Sequence, residues 1–111
     1  MREPWLESGR LLDAIERELR ALDLWEAAPP APAALESGQP FCYDTLEASQ
    51  WLQWVFLPRM RALIAAGAPL PTTCHVAEYL EEFYRESGLP VVGLIRAVRA
   101  IDQLLSAPRQ A

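Results

Sequence analysis

Trp51-Leu52-Gln53-Trp54-Val55-Phe56-Leu57-Pro58-Arg59-Met60 decides the fold. Wound at about 100° per residue, Trp51, Leu52, Trp54, Val55, Phe56, Leu57 and Met60 leave almost no polar side, and a helix apolar all round is buried or shared with a partner. The segment therefore reads as the core helix of an all-α domain, starting near Asp44 or a few residues later and running to about Gly67. Asp44 and Glu47 have capping-box-like spacing for its start. Pro58 has no amide to donate to the Trp54 carbonyl, which predicts a kink there. Gln53 projects between Phe56, Leu57 and Met60, where an unpaired amide costs about 1–3 kcal/mol, so it must bond backbone, Arg59 or a partner. Arg59 falls between Leu52 and Val55; its guanidinium is expected to leave the apolar surface for a carboxylate such as Asp44 or for a free carbonyl near Pro58. Those groups either lock the segment from Gln39 to Thr45 against the kinked helix or line a binding pocket.

On the N-terminal side, Leu12, Ile15, Leu19 and Leu22 recur at helical spacing, with Arg10, Asp13, Glu16, Arg17 and Arg20 opposite, predicting an amphipathic helix from about Leu6 to Trp25. The run Ala27-Ala28-Pro29-Pro30-Ala31-Pro32 breaks it, and an extended connector with one helical turn at Ala33 to Glu36 leads to Pro40. On the C-terminal side, Gly67 through Pro71 stops the core helix. Val76, Tyr79, Leu80, Phe83 and Tyr84 then mark one side of a third helix, from about Val76 to Arg85, with Glu78, Glu81, Glu82 and Glu86 on the other. Val91, Leu94, Val98, Ile101 and Leu105 carry a fourth, with Arg96, Arg99 and Asp102 outward. The expected architecture is a compact bundle of about four helices in a single domain over residues 1–111, with a Pro-kinked central helix and a Pro-rich connector after the first.

The chain has 111 residues, 51% of them hydrophobic, which suffices for a packed core. Its net charge of −5 repels phosphate backbones, so tight unassisted nucleic-acid binding is disfavoured. All ten basic residues are Arg, which excludes Schiff-base chemistry and a P-loop lysine. No apolar run has the length of a signal peptide or a membrane span, so the expected location is cytoplasmic. Cys42 and Cys74, far apart and unaccompanied, read as reduced thiols.

Chemistry-bearing constellations are sparse. His75 is the sole histidine and has too few neighbouring ligand types for zinc, so it reads as a surface or capping residue. The glutamates of the third helix form an outward acidic face, suited to a basic partner and lacking the Glu-x-x-His pattern of a metal bundle. Trp51, Trp54 and Phe56 serve the core unless one indole is exposed as an anchor. No cofactor or metal is expected, and no catalytic residue stands out.

Gln39-Pro40-Phe41, Asp44-Thr45, Trp51-Leu52-Gln53-Trp54-Val55, Pro58-Arg59-Met60 and Pro69-Leu70-Pro71 occur in an order that resembles the signature of the YqcC-like family. These are small bacterial proteins often named after the tRNA pseudouridine synthase whose gene lies beside theirs. The resemblance implies the same helical class. It does not carry over the synthase activity, because such enzymes use a catalytic Asp in a larger mixed α/β domain with a basic RNA cleft. Asp44, the one Asp in the matched segment, is better taken as a cap or an Arg partner. The resemblance points instead to a non-enzymatic accessory protein that binds a tRNA pseudouridine synthase of the TruC type and supports tRNA modification. Candidate contact residues are Asp44, Gln53, Trp54, Arg59, Glu81 and Glu82, and self-association of the bundle stays open. The alternative is a small-molecule or regulatory binding domain with its pocket around Gln53, Trp54 and Arg59.

Overall fold

The spacing of Leu12, Ile15 and Leu19 winds the N-terminal segment into α1 (Glu3–Ala21), which lays those fully buried side chains on the core. The structure is a computed structural model that describes residues 3–106. It continues through 3-10 turns at Pro32–Glu36 and Pro40–Cys42 to a central helix in three unbroken pieces: α2 (Ala48–Trp51), a π-helical segment (Leu52–Phe56) and α3 (Leu57–Ala66). α4 (Val76–Phe83) and α5 (Val92–Ser106) complete it, with no strand among the described residues. One contiguous core joins α1, the central helix, α4 and α5 through Leu12, Leu19, Leu52, Leu57, Leu80, Leu94, Val98 and Ile101. No described helix is long and apolar enough to cross a membrane.

α1 stops four residues short of Trp25. Asp23 adopts a left-handed φ of 59°, and the Leu24 N–H donates to the Leu19 carbonyl at 2.9 Å, a six-to-one closure that ends the helix before the prolines. The expected short turn at Ala33 to Glu36 is present within Pro32–Glu36. At the start of the central helix the cap differs from expectation. Glu47 occupies the N-cap, and its backbone N–H donates to Gln50 Oε1 at 2.8 Å, closing a capping box. Asp44 lies outside that turn and accepts the Ser37 hydroxyl at 2.6 Å.

The disturbance expected at Pro58 takes the form of the π-helical segment. A proline that cannot donate leaves a gap in the hydrogen-bond ladder; the preceding turn widens, and the Leu57 N–H reaches the Leu52 carbonyl five residues back. The central helix is not enclosed all round. Leu52, Gln53, Phe56, Leu57 and Met60 are buried, Trp54 and Val55 are half-buried, and Pro58 and Arg59 face solvent. Gly67, in the left-handed region at φ 64°, ends α3, with Ala68 N–H donating to the Leu63 carbonyl at 2.9 Å.

Candidate functional site

Gln53 is 4% exposed, and the structure shows what pairs its amide. Its Oε1 accepts the Glu26 backbone N–H at 2.8 Å, and its Nε2 donates to the Glu26 carbonyl at 2.7 Å. The amide thus treats Glu26 as a strand would treat a bridge partner. The Glu26 side chain is held by the same helix: Oε2 accepts from Gln50 Nε2 and Oε1 from Trp54 Nε1, each at 3.1 Å. Backbone and carboxylate of one connector residue are therefore clamped by Gln50, Gln53 and Trp54, which share a helix face through their spacing of three and four. Of the alternatives open for Gln53, backbone satisfaction is the one realised. Arg59 takes no part in it.

Asp44 and Arg59 do not meet. Asp44 is bound to the Ser37 hydroxyl, and Arg59 is exposed with no ion pair among the described residues. The expected pairing fails because Arg59 lies on the solvent side of α3, beside exposed Pro58, while Asp44 sits on the connector turn. The Gln39 to Thr45 segment is instead fixed by aromatic packing. Phe41 stacks on Tyr79 of α4 with ring centroids 4.3 Å apart and planes within 2°, and meets Trp51 edge-on at 4.9 Å. To do so, Phe41 and Cys42 both take left-handed backbone angles, φ 58° and 49°. Each such residue without glycine costs roughly 1–2 kcal/mol. The neighbouring Tyr43 is left 57% exposed, and the row continues from Tyr79 to Phe83, 41% exposed.

Beside this row runs the acidic side of α4. Glu78, Glu81 and Glu82 of α4, and Glu86 just beyond its end, all face solvent, as expected. Two are matched locally: Glu82 pairs with Arg85 at 2.5 Å, which holds its carboxyl below the usual range, and Glu81 pairs with Arg99 of α5. The face is therefore a mixed rim, in which Glu78 and Glu86 make no ion pair among the described residues. Such a half-exposed aromatic strip edged by charge has the anatomy of an interface: apolar anchors inside, polar groups outside.

His75 is exposed at the N-cap position of α4 without a side-chain cap bond. Both cysteines are free thiols, Cys42 buried and Cys74 half-buried. No metal-holding group of three or more His, Cys, Asp or Glu side chains occurs among the described residues. Sequence reasoning missed Glu26, Gln50 and Phe41. The first two left a signal, since Gln50, Gln53 and Trp54 place polar atoms on one helix face; Phe41 left none, since a bulky residue gives no hint of a left-handed φ.

Residues 7–104 match a family model described as tRNA pseudouridine synthase C. An uncharacterised protein of Haemophilus influenzae is 43% identical over 75 residues, covering 68% of this chain and 71% of that protein. A protein of Pectobacterium carotovorum named tRNA pseudouridine synthase C is 49% identical over 57 residues, 51% of this chain but 15% of that protein. The solution NMR structure of Escherichia coli YqcC superposes with a TM-score of 0.79 at 32% identity, covering 97% of this chain and 92% of that one. Near-complete overlap of fold and family match leads to one conclusion: this chain belongs to the YqcC-like family.

Proposed function

We propose that this chain is a non-enzymatic accessory domain that docks on a tRNA pseudouridine synthase and supports its action on tRNA. One observation carries the reading. Because 57 residues make up 15% of the Pectobacterium protein, that protein runs to about 380 residues, far more than a helical domain of this size fills. A unit similar to this chain is there part of one polypeptide that bears the synthase name. Where the two are separate chains, association has to be supplied by a surface rather than a linker. The strip of Phe41, Tyr43, Tyr79 and Phe83, edged by the α4 glutamates, supplies apolar anchors and a charge opposite to that of an RNA-binding cleft.

The competing pocket around Gln53, Trp54 and Arg59 is disfavoured, since Glu26 already engages Gln53 and Trp54 while Arg59 is exposed. The test mixes the purified chain with the synthase from the same cell, measures complex formation by calorimetry, and follows pseudouridine formation in tRNA. A complex and an altered kcat/KM are expected, with neither tight tRNA binding nor isomerisation by the chain alone. No complex and an unaltered rate, or sub-micromolar tRNA binding by the isolated chain, refutes the proposal.

A further inference from the structure

Asp102 joins α5 to the start of α4. It is 8% exposed, and its Oδ2 accepts the Ala77 N–H at 2.7 Å, satisfying one of the amides that a helix N-terminus leaves unpaired. Its Oδ1 is buried without a hydrogen-bond partner. A buried acceptor in that state is costly, and native structures keep few of them. The residue lines a cleft of about 180 Å³ between Cys74, Glu78, Arg99 and Gln103. Glu78 adds a second carboxylate with no ion pair among the described residues, and the Arg99 guanidinium is committed to Glu81. The cleft, which His75 and Ser106 also line, therefore offers negative charge whose one permanent cation is already engaged, and it is smaller than the several hundred Å³, about 300 or more, of ordinary ligand pockets.

We propose that this cleft binds a single guanidinium or alkylammonium group, whose N–H donors complete Asp102 Oδ1 while Glu78 closes over it from the rim. The Cys74 thiol, which lies beside the carboxylate, is a weak donor and is the side chain the cation displaces. A guanidinium fits best, because its planar fork spans two carboxylates. The group can be carried by a small molecule or by a partner's arginine, and the proposal does not rest on the accessory role.

The test titrates the full 15N-labelled chain with N-acetyl-arginine-methylamide, n-butylammonium and the neutral citrulline analogue of the first. Saturable movement of the Ala77 amide signal is expected with the two cations and not with citrulline. Asp102→Asn keeps an acceptor for Ala77 but turns a donor toward the cleft, so the response should be lost; Glu78→Gln, on the exposed rim, should weaken it severalfold without touching the core. Saturation by the free cations supports the site; competition of the capped arginine with an arginine-bearing surface of the synthase assigns it to an interface, and saturation without such competition assigns a small-molecule pocket. No saturable shift with any of these, or equal shifts with citrulline, overturns the proposal and leaves the cleft to solvent.

Discussion

Replacing Gln53 with Leu removes both bonds to the Glu26 backbone while nearly conserving volume, so it isolates the clamp. The Glu26 N–H and carbonyl are then left unpaired under a buried side chain. Fully enclosed, each costs about 1–3 kcal/mol. Glu26 is only half-buried, so water recovers part of this, and the expected net loss is about 2 kcal/mol. Set against the roughly 5–15 kcal/mol that holds a domain together, this is a large fraction. For a chain of this size it should lower Tm by about 8–16 °C. Urea denaturation of wild type and Gln53→Leu measures it, with the slope checked for constancy. Affinity for the synthase, measured on the folded fraction, should not change. A loss below about 0.5 kcal/mol, the level of an ordinary surface substitution, refutes the clamp, and so does an affinity loss without a stability loss.

Burial first, and then the neighbouring Asp102 carboxylate, push the Cys74 thiol from 9.0 up to about 12. The folded chain holds this proton where the unfolded chain releases it, so the contribution to stability is complete below about pH 9 and is lost as pH rises toward about 12; alkylation at pH 8 should be slow in the native chain and fast in urea. Gly67→Ala meets no atom within 4 Å but forces a left-handed φ on a residue with a Cβ, and should cost about 1–2 kcal/mol by denaturation, whereas a neutral effect would show that the helix end relaxes. Charge reversal at Glu81 and Glu82 should slow association with the synthase, and so should raising salt past the about 8 Å Debye length of 0.15 M, while an on-rate indifferent to both removes electrostatics from the docking.

The helical class and the order of its elements were legible in the sequence because apolar periodicity and proline are local properties. Leu12, Ile15 and Leu19 specify a buried stripe wherever α1 packs, and Pro29 to Pro32 break a helix in any context. The need of Gln53 for a partner was legible for the same reason: an amide within an apolar stretch must be paired. The identity of that partner was not. Glu26 is 27 positions away in a connector with no periodicity, and only the folded chain brings its backbone to the amide.

The same boundary separates the rest. Arg59 and Asp44 share a signature in the sequence, yet a helical projection assumes an unperturbed helix, and this one holds a π-helical segment immediately before Pro58. Phe41 and Cys42 turn left-handed because the stack on Tyr79 and Trp51 offsets their strain, a balance that exists only once α2 and α4 have met. Asp102 shows the same rule from the other direction. Its spacing on α5 reads as an outward acid, and it is buried because the N-terminal amides of α4 offer it donors that no sequence-local argument can supply. Local chemistry determined which segments are helical and which groups require partners; tertiary packing alone decided which partner each group received, because buried polar groups are paired by proximity in space rather than along the chain.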